Sequence, residues 1–431
     1  MWRCALPDAA DSGQPARLTP NVPGVLNKLS HPHGRLAAWY FWYFAFIGAY
    51  MPYFGVYLQA QGYSAWDISL LLSLMQVMRL AAPNLWSSLA ERRGCPTPIV
   101  RTTTALCVAS FGALFFSHDF STTFIVLALL AFFWSAALPL IEALTLNQLT
   151  GQIGQYGRIR VWGSIGFVIA VQGIGALLDV QPLASLLWVS LGMLLLLFAC
   201  TLGLPAQPQP IRPPSLLSPT TAAAQSAQNT QNAPATVSLR AMLRRPHLLP
   251  LLWASFLMAA AHGPLYVFYS IHLVAHDYSK TLIGALWSLG VIAEILAFMW
   301  MPGLLRRYTL KNILLLTFAA AALRFLVIGW GAASLVLLLL AQLLHGLTFG
   351  AFHAAMVALL HQWFPSREQT RAQALYGSIS FGAGGMIGGL LSGQVWELIG
   401  AGATYSLGAL CALAALLIAR RGLPTKQTPV R

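Results

Sequence analysis

The sequence predicts an all-α integral membrane fold with about twelve transmembrane helices in two six-helix bundles, and three observations predict it. The chain of 431 residues is 57% hydrophobic and only 8% charged, with a mean hydropathy of +0.67. That leaves too little polar surface for a water-soluble domain. Apolar windows of about 20 residues, the length that crosses a hydrocarbon core of about 30 Å, recur along the whole chain. The basic residues fall on alternate connections between those windows, the asymmetry that orients helices across a membrane.

Taken in order, the windows are 36–59, 67–88, 98–117, 122–146, 160–179, 183–204, 248–274, 282–303, 312–330, 334–360, 371–396 and 401–419. The basic connections carry Arg92, Arg93 and Arg101; Arg158 and Arg160; Arg240, Arg244 and Arg245; Arg306, Arg307 and Lys311; Arg367 and Arg371; Arg420 and Arg421. Lys280 is the one clear exception on the other side. This pattern expects both termini in the cytoplasm and the chain in the inner (plasma) membrane. The net charge of +14 is spread over alternate loops, whereas a nucleic-acid surface would cluster it on one face, so no nucleic-acid partner is expected.

Composition also divides the chain. Residues 1–34 are polar and rich in Pro and Gly, with no apolar core for a signal peptide, and read as a cytoplasmic tail. Residues 35–204 are the first six-helix bundle. Residues 205–246, with Pro-Ala-Gln-Pro-Gln-Pro and then Ser, Thr, Gln and Asn, bury too little apolar surface to fold and read as a cytoplasmic linker. Residues 247–420 form the second bundle and 421–431 a short cytoplasmic tail. The five cysteines are scattered, with no metal-ligand spacing and no disulfide framework, so no metal or other cofactor is expected. The sequence contains no HExxH or GxSxG, and an enzyme is not expected.

Charges buried in apolar windows mark the candidate machinery. A charge at bilayer depth costs roughly 2.5–3.5 kcal/mol on insertion scales, so it persists with a partner or a purpose. Glu142 and Glu294 are the two such acids, with Arg79, Arg160, Arg324 and His345 as candidate partners. Arg79 lies mid-way along the second window, where either a structural pair or an anionic solute would keep it. Glu142 either balances Arg158 or Arg160 near one face or joins a binding site. In the first window Trp39, Tyr43, Phe46, Tyr50, Tyr53 and Tyr57 step by 4, 3, 4, 3 and 4 and share one helical face. They suit either ordinary helix packing or the lining of a cavity, with Tyr43, Phe46 and Tyr50 the candidates for lining. Glycines crowd the fifth window (Gly163, Gly166, Gly173, Gly175) and the eleventh (Gly382, Gly384, Gly385, Gly388, Gly389, Gly393), where small residues let helix backbones approach.

Several of these segments resemble a known family. Leu89-Ala90-Glu91-Arg92-Arg93-Gly94 is similar to the short basic turn between the second and third helices of the major facilitator superfamily, with Glu91 where that family has aspartate and Ser87 in place of its first glycine. The resemblance implies a conformational latch at Glu91, Arg92 and Arg93. Pro302-Gly303-Leu304-Leu305-Arg306-Arg307 sits at the matching place in the second bundle, and either echoes that turn or supplies orientation charges alone. Glu142 and the stretch Arg158-Ile159-Arg160-Val161-Trp162-Gly163-Ser164 resemble the fourth and fifth helices of the lactose permease group, which implies solute binding by Glu142 and Arg160. Phe167 falls where that group has a tryptophan that stacks on sugar. Ala293-Glu294-Ile295, Arg324 and His345 match the Glu, Arg and His that link solute and proton there. Thr348 stands where that group has a second carboxylate. Leu344 to His353, with two histidines eight apart, looks like the tenth helix of the phenylpropionate permease family, which also has an arginine in its second helix like Arg79.

The resemblance, covering about 37–420, implies a secondary transporter working by alternating access, with a small-molecule solute, the proton as coupling ion and the lipid bilayer as its partners. Proton symport of an aromatic carboxylic acid is the expected reaction. A sugar or nucleoside symporter, or an exporter on the same fold, is the alternative. Glu294, Arg324 and His345 would couple protons, Glu142, Arg160, Arg79, Phe167, Tyr43, Phe46, Tyr50 and His353 would bind solute, and the protein is expected to act as a monomer.

Overall fold

A computed structural model describes residues 32–149, 155–204 and 242–424. Most of the tail assigned to 1–34, residues 205–241 of the linker and the end of the 421–431 tail lie outside the described residues. Twelve long helices run through the rest: α1 (Pro32–Ala60), α2 (Ala65–Arg93), α3 (Pro96–Phe116), α4 (Phe120–Gln148), α5 (Tyr156–Val180), α6 (Ser185–Leu202), α7 (Leu248–Val274), α8 (Lys280–Arg307), α9 (Leu310–Gly331), α10 (Leu335–Trp363), α11 (Arg371–Ile399) and α12 (Ala401–Gly422). Eleven are long and apolar enough to span a bilayer. The exception is α1, whose five tyrosines and two tryptophans dilute its apolar average although its length of 29 residues is ample.

Four of the helices begin at a side-chain cap. Ser64 opens α2 with a capping box, its Oγ accepting from Asp67 N at 3.1 Å while the Asp67 carboxylate accepts from Ser64 N at 3.2 Å. Asp119 caps α4, Ser279 caps α8 and Thr309 caps α9 in the same way, each taking an N–H three residues on. Gly94 ends α2 in the left-handed conformation at φ 65°, so Glu91, Arg92 and Arg93 belong to the last turn of that helix and not to a loop.

Helix α1 packs on α5, α3 on α4 and α6, and α2 on α4; in the second half α12 packs on α9 and α7, and α8 on α10. The two halves meet along α5 with α8, α2 with α11, and α1 with the end of α7. Glycine makes these approaches possible. A Cβ at Gly48 would lie 2.7 Å from the Phe167 carbonyl oxygen, and one at Gly284 2.7 Å from that of Val171, across the boundary between halves. The eleventh-helix glycines serve as the sequence suggests: Gly384, Gly388 and Gly389 abut α7 or α2 directly. Residues 242–246, assigned to the linker, join the body, with Met242 fully buried and Arg245 paired to Glu368 at 2.6 Å.

The second half is less regular. Helix α7 is broken at His262 before Gly263-Pro264, and α10 and α11 each contain a π-helical segment, Gly346–Ala351 and Ser378–Gly384. A π turn inserts one residue into the helical ladder and re-aims the side chains beside it, and such turns gather at functional sites.

Candidate functional site

In the first half, α4 carries Glu142 and the first turns of α5 carry Tyr156 and Arg160. The Tyr156 hydroxyl donates to Glu142 Oε1 at 3.4 Å. The Arg160 guanidinium lies over the Phe44 ring, 4.1 Å from its centre, with Tyr40 at 5.6 Å. Glu142 and Arg160, expected to pair, are not within ion-pair distance among the described residues. They interact through space at longer range, with the aromatic rings holding the arginine between them.

In the second half, α8 carries Glu294 and α10 carries His345, and these two do meet: His345 Nε2 is 3.8 Å from Glu294 Oε2. Arg324, expected as their electrostatic partner, acts through space on His345 but makes no ion pair with Glu294. It is fully buried, donating from Nε to the Ala341 carbonyl at 2.9 Å, from Nη1 to Thr348 Oγ1 at 3.1 Å and from Nη2 to Gln342 Oε1 at 3.2 Å. Every one of those acceptors is neutral. The threonine that replaces a second carboxylate is thus a direct ligand of the arginine. The arginine acting on Glu294 through space is Arg160, from the other half of the chain. One guanidinium is therefore within electrostatic range of both membrane acids, Glu142 in its own half and Glu294 in the other. Sequence spacing carries no signal for that, because the two acids are 152 residues apart.

Arg79 is exposed, and among the described residues no carboxylate pairs with it. Its charge reaches Tyr43 in the first half and Tyr266 in the second, which puts it at the junction of the halves. Tyr43, Phe46 and Tyr50 are 4%, 1% and 8% exposed, so the stripe is mainly packing. Tyr43 is stacked between Trp39 and Trp134 at 4.9 and 4.3 Å, Phe46 packs on Trp134 and Phe111, and Tyr50 on Phe54. Only the Tyr43 ring stands within reach of Arg79, Glu142 and Arg160 together. Phe167 is buried where α5 crosses α1. His353 Nδ1 lies 3.3 Å from the Tyr376 hydroxyl, a contact between α10 and α11 rather than part of the acid–arginine group.

Glu91, Arg92 and Arg93 are exposed at the end of α2, and no ion pair joins them among the described residues. Their place suits the helix dipole for the two arginines. The tight ion pair near helix ends is in the other half: Arg245 bonds Glu368, donates to the Trp363 carbonyl at 2.8 Å and lies over the Phe364 ring at 4.4 Å. A cavity of about 220 Å³ lined by Phe54, Tyr57, Tyr63, His118 and Asp119 lies at the connections of the first half, remote from both membrane acids.

Twelve long helices among the described residues, with the comparisons that follow, make this chain a membrane transporter of the major facilitator type, not an enzyme. The chain belongs to the MFS_1 like family, whose sequence model matches residues 33–407. It is 29% identical over 400 residues to the probable 3-phenylpropionic acid transporter of Escherichia coli, covering 90% of this chain and 98% of that one. It is 28% identical over 384 residues to the maltose permease of Geobacillus stearothermophilus, covering 88% and 91%. The crystal structure of the nucleoside transporter NupG superposes with a TM-score of 0.74 at 19% identity, covering 90% of this chain and 98% of that one, a likeness of fold.

Proposed function

We propose that this protein is a proton symporter that carries a small organic anion, an aromatic carboxylic acid first, through the plasma membrane with both termini in the cytoplasm. The observation that carries the reading is His345 meeting Glu294 at 3.8 Å inside the spans, with Arg160 on α5, the helix that packs on α8 from the other half, within electrostatic range of both Glu294 and Glu142. A site assembled from both halves changes when the halves rock, and alternating access follows from that geometry. A carboxylate that gains and loses an arginine neighbour in a low-dielectric site loads and releases a proton. Glu294 and His345 are the protonatable pair, Glu142 and Arg160 hold polar groups of the solute, and Tyr43 lines the edge of the site.

Arg79 supplies the anion preference. It brings a third guanidinium to the membrane interior against two acids, and among the described residues it has no carboxylate of its own. A solute carboxylate at Arg79 would be a charge-assisted, two-pronged contact. The relative described as a probable 3-phenylpropionic acid transporter supports the same class. Arg324 is assigned a supporting role: it ties α9 to α10 and keeps a fixed positive charge behind His345. A sugar or nucleoside symporter is the second reading, favoured by the maltose permease relative.

Proton movement into proteoliposomes, measured as external pH on adding aromatic acids, sugars and nucleosides, tests the proposal. The expected result is solute-triggered alkalinisation outside by an aromatic acid, lost in Glu294→Gln, with Arg79→Gln abolishing uptake of acids selectively. Solute counterflow without a proton signal, unchanged by Glu294→Gln, would show a facilitator whose acid is structural.

A further inference from the structure

At the end of the molecule where α1 turns into α2, the two halves are joined by a repeated device. The first turn of a helix leaves backbone N–H groups without intrahelical acceptors. In α8, Ser279 takes the N–H of Leu282 at 3.2 Å, leaving those of Lys280 and Thr281. Asp179, at the end of α5 in the other half, takes both: Oδ1 accepts from Lys280 N at 2.7 Å and Oδ2 from Thr281 N at 2.9 Å. The Thr281 hydroxyl adds a bond to Oδ2 at 2.6 Å and the Lys280 ammonium an ion pair at 3.8 Å. In α2 the arrangement recurs with the halves exchanged. Ser64 takes the N–H of Asp67, and Glu397, at the end of α11, accepts from Trp66 N at 3.0 Å. Each half therefore ends one helix in a carboxylate that caps a helix of the other half.

Both contacts place negative charge at the positive end of a helix dipole. Tyr53 reinforces the α5–α8 seam, its hydroxyl lying 2.7 Å from the Val171 carbonyl oxygen and 3.0 Å from that of Lys280. Separation of the halves at this end breaks both caps in one motion.

We propose that Asp179 and Glu397 are the two bolts of the outer gate, trans caps whose rupture sets the equilibrium between the closed and open outer face. The inference rests on the alternating-access reading above. The two bolts are unequal. Asp179 makes three hydrogen bonds and an ion pair, whereas Glu397 makes one bond, and both stand at exposed helix ends. Asp179 accordingly holds more of the closure, because it satisfies two backbone N–H groups and a hydroxyl where Glu397 satisfies one N–H.

The test reads opening at the seam opposite the broken cap. Ser73 on α2 is 2% exposed and faces Gly389 of α11, on the seam that Glu397 rather than Asp179 closes. A Ser73→Cys reporter, corrected for the native cysteines with the parent protein, is labelled from outside by a membrane-impermeant maleimide. Adding Asp179→Asn is expected to raise the labelling rate about tenfold, the ratio that corresponds to roughly 1.4 kcal/mol. Thr281→Val, which removes one donor from the other side of the same cap and leaves the acid intact, is expected to raise it by a smaller factor. Glu397→Gln raises it further when combined with Asp179→Asn, since both act on one motion. Labelling that stays at the reporter's own rate in Asp179→Asn and Thr281→Val while solute still changes it would overturn the gate and leave alternating access standing. A reporter unresponsive to every variant and every solute tested would overturn both.

Discussion

The two halves solve the same packing problem with different materials. The first half fills its interior with stacked rings: Tyr43 lies between Trp39 and Trp134, Phe46 adds Phe111, and two tryptophan indole N–H groups find partners, Trp39 on Thr201 and Trp86 on the Phe132 carbonyl. The second half holds a buried guanidinium, Arg324, with neutral ligands, and two histidines each with a ring nitrogen lacking a hydrogen-bond partner, His262 Nε2 and His345 Nδ1. Both π-helical segments among the described residues lie there too. Stacked rings have one good arrangement and resist change, whereas π turns leave alternatives close in energy; buried polar atoms without a partner occur in both halves, at Ser73, Gln76, Thr104 and Gln148 in the first, and do not separate them. The contrast assigns the rigid wall to the first half and the responsive part to the second.

Removing the wall is the harshest way to test that contrast. Trp134 is 8% exposed and carries contacts to both Tyr43 and Phe46. Trp134→Ala is expected to destabilise the protein by about 3–5 kcal/mol, the usual cost of deleting a buried aromatic side chain. The check is thermal unfolding in detergent followed by transport per folded molecule. The loss should appear in the melting temperature, with proton stoichiometry unchanged in whatever protein remains folded. A changed stoichiometry would mean that the aromatic wall takes part in coupling and that the division of labour is wrong.

The second half is tested by a change that keeps charge and removes geometry. Arg324→Lys leaves a cation at the site but has no planar fork to reach Ala341, Thr348 and Gln342 at once. Stranding even one of those buried acceptors costs about 1–3 kcal/mol. The expected phenotype is a moderate fall in stability, smaller than for Trp134→Ala, joined to weakened proton coupling, because His345 sits one turn from the disturbed Thr348. Thr348→Asp sharpens the point: it offers Arg324 a charged partner, and coupling that survives in that variant would show that the neutrality of this ligand set is not required.

Much of this is legible in the sequence, and the exceptions have physical causes. Twelve apolar windows mark twelve helices because length and hydropathy are enough to define a span. Even α1 is visible, since its tyrosines dilute hydropathy without interrupting the apolar run. Glu294 and His345, linked in the sequence only by the family resemblance, meet between α8 and α10. Arg324 has a different neighbour from the expected one because geometry, and not charge complementarity, decides: its side chain turns toward α10, where neutral oxygens at 341, 342 and 348 are nearest. Asp179 and Glu397 look like ordinary acids at helix ends, since their partners are backbone N–H groups 101 and 331 residues away and no residue type announces them. The π segments are invisible for a related reason, since one inserted residue hardly alters an already apolar window.

The gentlest perturbation separates packing from binding inside the aromatic stripe itself. Tyr43 stacks through its ring, and its hydroxyl makes no hydrogen bond to the described residues, yet the side chain stands within electrostatic reach of Arg79, Glu142 and Arg160. Tyr43→Phe keeps both stacks, so the expected change in stability is within about 0.5 kcal/mol. If the hydroxyl faces solute, KM rises several-fold for a solute with a polar group to offer it, while the maximal rate and the proton ratio hold. Tyr50→Phe is the matched control, a buried ring of the same stripe that lies outside the reach of those charges and should leave KM alone. Equal KM values for parent and both variants would place the whole stripe in the wall and shift solute recognition to the charged residues that face it.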